Sequence, residues 1–181
     1  MADPAITAAT PGRSLRIEPL EDIQKGLCCC CGHLAAAAAV AGNALCLTCV
    51  PAYALDEPGI DDVATLIWLP HVEQGALSRC VTALHVACAA EGATIHDETL
   101  TGRSKDARRV LDALLACRAG SNERIGTDRP SLLRAAMRAL QGHKPPRPEG
   151  ETGLRVLTLG LWFPDHPRRY YDAAAEWAKS G

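Results

Sequence analysis

Four cysteines define the chemistry open to this chain. Cys28 and Cys31 form one C-x-x-C pair, Cys46 and Cys49 form a second, and fourteen residues separate the two. A two-residue spacer lets a tight turn aim both thiolates at one ion, and two such turns facing each other complete a tetrahedron of sulfur. That is the pattern of a structural zinc site. The register of the first pair is forced, because only Cys28 and Cys31 in the run Cys28 to Cys31 stand two residues apart. Gly32 fits the first turn, since the residue after a knuckle's second cysteine often needs a positive φ, which glycine adopts without steric cost. The second pair carries a weaker signal, being followed by Val50 and Pro51.

Other uses of these thiols fit less well. A disulfide framework belongs to smaller secreted domains. A redox-active C-x-x-C sits at a strand-to-helix junction of a thioredoxin-like unit, and no such context is visible. A catalytic zinc keeps one position open for water, whereas four thiolates leave none. Cys29 and Cys30 are surplus and read as packing or exposed thiols, while His33 is the one nearby residue that could compete as a ligand. The expected site is therefore structural Zn2+ on Cys28, Cys31, Cys46 and Cys49, with no catalytic residues.

The elements that must position these cysteines come from a chain of 181 residues, 48% hydrophobic but only 4% aromatic, and rich in alanine. Helices packed through small side chains are the expectation. A net charge of -2 gives no electrostatic reason to seek a nucleic-acid partner, since phosphate binding relies on a basic surface. The first residues lack a basic region followed by a long apolar core, and no segment approaches the roughly 20 apolar residues that cross a bilayer. A cytoplasmic protein in a reducing compartment is expected.

In chain order, residues 1–13 read as a loose tail and 14–181 as one zinc-containing domain of α+β class. Ser14 to Leu20 suits a short strand. Residues 27–50 form the knuckle region, in which the alanine-rich stretch from Leu34 fits either a helical turn or a hairpin closed near Gly42 and Asn43. Tyr53 to Asp62 is an acidic connector. The helical body spans 65–141: a buried strand over Thr65 to Leu69, a helix over Val72 to Ala90, a second over Ser104 to Ala119 ended by Gly120, and a third to about Leu140. Leu77, Val81, Leu84 and Cys88 line the first helix, with Cys80 and Ala87 alongside; Cys80 and Cys88 are expected in the core, Ser78 and Thr82 away from it, and His85 at its border. Ala107, Val110, Leu111, Leu114 and Leu115 give the second its apolar face. Asp128 is the expected cap of the third helix and Pro130 its first turn. Arg108, Arg109, Arg134 and Arg138 read as solvated ridges. Residues 142–153 form a linker of glycines and prolines. The C-terminal strand and helix occupy 154–181, with Leu154 to Phe163 pairing with Thr65 to Leu69 so that Trp68 and Trp162 share a small sheet, and a last helix starting near Asp165 or Pro167. Four helices and a small sheet result.

Several chemistries are missing. There is no phosphate-binding loop, no G-x-S-x-G elbow and no H-E-x-x-H helix. His71 with Glu73, and His96 with Asp97 and Glu98, lack metal or catalytic spacing. A nuclease built around a zinc knuckle would need histidine and asparagine near the cysteine pairs, where only His33 and Asn43 occur. The chain reads as a non-enzyme.

The order of these features resembles the DotN (IcmJ) family of the type IVB secretion and conjugation machinery. The matching residues are Cys28, Cys31, Gly32, Cys46 and Cys49, the Leu66 to Pro70 strand, Gln74, and the connector from Gly126 to Pro130, so that the resemblance covers about Leu27 to Leu140. It implies a zinc-bearing scaffold like a degenerate HNH nuclease fold without its catalytic residues. It also implies a place in a coupling complex, where members of the family clamp the cytosolic C-terminal region of a DotL-like coupling ATPase beside other subunits, recruited in this way to the inner membrane. The stretch between the cysteine pairs is shorter and more alanine-rich here than in the family. The alternative reading of the same residues is a zinc-ribbon transcriptional regulator or nucleic-acid-binding protein.

Overall fold

The structure, a computed structural model, describes residues 17–19, 26–139, 153–163 and 170–180. The expected tail, the linker up to residue 152, the end of the third helix and the start of the last one lie outside the described residues. The fold is α+β, with two small antiparallel sheets, five helices of eight residues or more and two single-turn helices among the described residues.

The stretch between the cysteine pairs is a hairpin. Strand β1 (Ile17–Pro19) pairs with β2 (Ala38–Val40), which pairs with β3 (Asn43–Leu45). Val40 opposes Asn43, leaving Ala41 and Gly42 as a two-residue loop with φ of 50° and 81°. Two successive positive φ values define the type I′ turn whose twist matches that of the flanking strands. Alanine's helix propensity loses here to the need to bring the second cysteine pair back beside the first. Asn43 Nδ2 donates to the Val40 carbonyl across the turn.

The acidic connector is not featureless. It lies between helical turns α1 (Val50–Tyr53) and α2 (Ile60–Val63), the second running directly into β4 (Ala64–Trp68). β4 pairs in antiparallel register with β5 (Leu154–Thr158), Ala64 opposite Thr158 and Trp68 opposite Leu154. The two apolar runs meet as expected, but β5 stops at Thr158, so Trp162 lies beyond the sheet. A left-handed Gly160 follows, and a Cβ there would collide with the His85 ring.

This ribbon separates two cores. By the two-residue period of a strand, Leu66, Leu154 and Val156 join the four cysteines, Val40, Leu45, Val50 and Phe163 on one side. Ile67 and Leu157 join Leu77, Val81, Cys88, Ile95, Ala107 and Leu111 on the other. A lone two-stranded ribbon is marginal in water; this one is buried on both faces and has both edges covered. Along β4, Leu66 N donates to the Asp128 carbonyl and Trp68 N to that of Cys117. Along β5, the Gln74 side chain takes the place of a third strand, its Nε2 donating to the Val156 carbonyl at 2.8 Å and its Oε1 accepting from Val156 N at 2.9 Å.

Helix α3 (Gln74–Ala90) packs against β5, against α4 (Gly102–Ala116) and against α7 (Tyr170–Ser180). A helix with neighbours on so many sides buries more than one stripe. Ser78, Thr82 and His85 are buried with Leu77, Val81 and Cys88, whereas Cys80 is exposed, contrary to the periodicity reading. On α4, Ala107 and Leu111 are buried but Val110 is exposed. The Glu91 carboxylate caps α4 by accepting from Arg103 N and Ser104 N.

Gly120 does not end the second helix. The chain turns at Cys117 into a separate helix, α5 (Arg118–Ile125), inside which Gly120 sits because a Cβ there would lie 2.9 Å from Trp68 Cβ. A Cβ on Gly153 would meet the six-membered ring of the same indole, and the Arg124 guanidinium stacks 4.4 Å from the ring centre. Pro130 does open α6 (Pro130–Ala139), but the cap is distant: Asp61 accepts from both Ser131 N and Ser131 Oγ. The Asp128 carboxylate instead lies 3.9 Å from Arg118. Arg134 is no solvated ridge. Its Nε donates to both Asp56 oxygens at 2.9 Å, with the two side chains only 5% and 1% exposed.

Candidate metal centre

Each cysteine pair sits on a turn whose backbone bonds explain its shape. In the first, Gly32 N donates to the Cys28 carbonyl at 2.8 Å, and Cys28 N to that of Leu34. Gly32 adopts the expected positive φ, 63°. Cys29 N reaches the Ala44 carbonyl, tying the knuckle to β3. In the second, Cys49 N and Val50 N both donate to the Cys46 carbonyl, and the chain enters α1 directly. Pro51 falls in the first turn of that helix, where its missing N–H costs no intrahelical bond. The two turns are brought together by the hairpin between them.

The result is one cluster. The sulfurs of Cys28, Cys31, Cys46 and Cys49 all lie within 4.8 Å of one another, and all four residues are buried. Cys31 Sγ and Cys46 Sγ are 3.8 Å apart. A tetrahedron with sulfur about 2.3 Å from its centre has edges of about 3.8 Å, so the spacing suits four thiolates around one soft cation. These four residues could hold a metal ion. The other candidates stay outside the group: His33 and Cys29 are exposed, and Cys30 is half-buried.

The thiols are electrostatically unequal. Hydrogen bonds from Cys46 and Cys49 hold Cys28 far below the usual thiol range. Cys46 is pushed up, first by its bond to Cys28, with burial adding to the effect. Cys49 is raised by its bonds to Cys28, Cys30 and Cys46, and then by burial. A divalent cation bound by these four sulfurs would displace their protons.

Support comes from residues that spacing does not reveal. Arg79 of α3 donates to the Cys31 carbonyl at 2.8 Å. Gly75, one residue into the same helix, leaves room for the Cys30 carbonyl, which any Cβ there would strike. On the second knuckle, Thr48 Oγ1 lies 2.8 Å from Thr82 Oγ1, and the Thr48 carbonyl accepts from Thr158 Oγ1 of β5. The centre is thus fastened to α3 and to the ribbon at once. A glycine near a helix start, costing about 1 kcal/mol relative to alanine, was the one sequence signal that something approaches there.

His85 lies away from the cluster, in a cavity of about 290 Å³ with Ile95, His96, Gly160 and Ala174. Burial, and then the charge of His96, push its imidazole down to about 4. No described helix is long and apolar enough to cross a membrane. Compared with known proteins, the chain matches no family model and no curated protein.

Proposed function

We propose that the chain is a non-catalytic zinc-binding scaffold, a DotN-like subunit of a type IV secretion or conjugation coupling complex that binds the cytosolic C-terminal region of the coupling ATPase. The observation that carries the zinc part is the buried cluster of Cys28, Cys31, Cys46 and Cys49, with the Cys31 to Cys46 spacing of 3.8 Å. Four soft sulfur donors in tetrahedral array favour zinc over magnesium or calcium, which prefer oxygen. They also saturate the ion, so its part is structural.

The adaptor part is supported by the order of motifs shared with the DotN family. Gln74, one of those positions, clamps the edge of β5. In this reading the ion holds the two knuckles against α3 and the ribbon, and the helical body presents the partner surface. Val110 of α4 and Leu132 of α6, both large, apolar and exposed, are where mapping of the contact begins.

The test is co-expression with the cytosolic C-terminal region of the coupling ATPase from the same organism. A complex of defined stoichiometry that carries zinc and survives moderate salt is expected. Elution of this chain alone, folded and loaded with zinc, would rule out the partner while leaving the metal. Salt-sensitive DNA binding would then favour the regulator reading.

A further inference from the structure

The cysteine cluster leans on one face of a helix. Gly75, Arg79 and Thr82 of α3 stand at positions i, i+4 and i+7, which a helix places on one side. Each of them meets a knuckle. A Cβ on Gly75 would strike the Cys30 carbonyl, Arg79 donates through one terminal nitrogen to the Cys31 carbonyl at 2.8 Å, and the Thr82 hydroxyl lies 2.8 Å from that of Thr48. Two of these contacts are neutral. The third brings a positive charge to a residue that carries one of the clustered sulfurs, and Cys31 Sγ is itself one end of the 3.8 Å edge to Cys46.

We propose that Arg79 is a positioning residue of the metal centre: its bond fixes the Cys31 end of the first knuckle, and its charge offsets the surplus negative charge of four thiolates on zinc. The inference rests on the reading of the cluster as a zinc site.

Four thiolates around one divalent zinc leave a net negative charge. All four cysteines are buried, and burial makes an uncompensated charge costly. A guanidinium held one peptide away lowers that cost. The same bond is positional, because a carbonyl gripped by a charged donor is held more firmly than one gripped by a neutral group. The Cys31 carbonyl belongs to the peptide that leads into Gly32, whose positive φ makes the turn, so holding it also sets the direction of the Cys31 side chain. Arg79 itself is exposed, so its attraction for the site passes partly through water and weakens as salt is added. A single N–H takes part, without a bidentate fork, so lysine can supply both the contact and the charge. Glutamine keeps a donor and loses the charge.

Metal content is measured first on the purified protein, and zinc affinity is then read by competition with a chromogenic chelator at low and at high salt. Arg79→Gln should bind zinc about tenfold more weakly or worse at low salt, the scale on which residues behind the ligands tune a metal site. The gap should narrow at high salt. Arg79→Lys should stay within about threefold of the unaltered protein. Urea unfolding of the metal-free chains should be the same in all three, because the bond acts through the loaded knuckle. Should Arg79→Gln not fold, Arg79→Met, with neither charge nor donor, takes its place. Unchanged affinity in the neutral variant, a lysine variant no better than it, a gap that salt leaves alone, or a loss matched by metal-free stability would overturn the proposal. A protein that neither holds nor takes up zinc would overturn the reading beneath it, and the proposal with it.

Discussion

At the scale of single residues, burial overrides what the sequence advertises. The cysteine quartet was legible because its members sit at fixed short spacings, and chemistry needs that spacing. The Arg134–Asp56 pair was not, since 78 residues separate its partners and either alone reads as a solvated charge. Breaking such a pair strands a charge away from water, at a cost of roughly 3–5 kcal/mol. Periodicity likewise placed Cys80 inside and His85 at the border, because it does not show how many neighbours a helix has. His85 supplies a pH test. Its folded-state pKa of about 4 lies below the ordinary 6.5, so between those values the unfolded chain binds more protons. Stability is then full above about pH 6.5 and falls as pH drops toward 4. Relative to His85→Gln, which cannot titrate there, the unaltered protein should lose about 1 kcal/mol between pH 7.5 and pH 5.5. Urea denaturation at the two pH values checks this, and an unchanged difference would mean that His85 is not held neutral.

Among the elements, the strands β4 and β5 were legible as two apolar runs that had to pair, and the hairpin was one of two openings left by the alanine-rich stretch. The helix α5 was missed because Gly120 looks like a helix stop; only the indole packed against it explains a glycine mid-helix. The two helical turns that bracket the acidic connector are too short for any periodic signal. Gln74 shows how one side chain can complete an element. Its amide satisfies both backbone groups of Val156, which are otherwise buried without partners. Gln74→Leu should destabilise by roughly 2–4 kcal/mol, the cost of two orphaned buried groups. Calorimetry or urea unfolding of the metal-loaded protein measures it. A loss under about 0.5 kcal/mol would show that the ribbon edge finds other partners.

For the molecule as a whole, the cysteine cluster is part of the wall of a core. The four cysteines pack with Val40, Leu45, Val50, Leu66 and Phe163, so the knuckle region has no separate interior. Two strands of three residues and a single helical turn cannot bury enough apolar surface to hold themselves in place. In the proposed reading a zinc ion on the four cysteines supplies much of the local stability, as in small zinc domains where apparent binding energies reach about 10–16 kcal/mol. The helical core beyond the ribbon, built around Leu77, Val81, Ile95 and Leu111, has its own apolar contacts, so in that reading it depends on the ion less. The most direct test is elemental analysis of the purified protein, followed by limited proteolysis before and after chelation. One zinc ion per chain is expected and, once it is removed, rapid cleavage within residues 27–55 while the fragment carrying α3 and α4 persists. A protein free of metal, or one whose cleavage in that segment is unchanged by chelation, would contradict it.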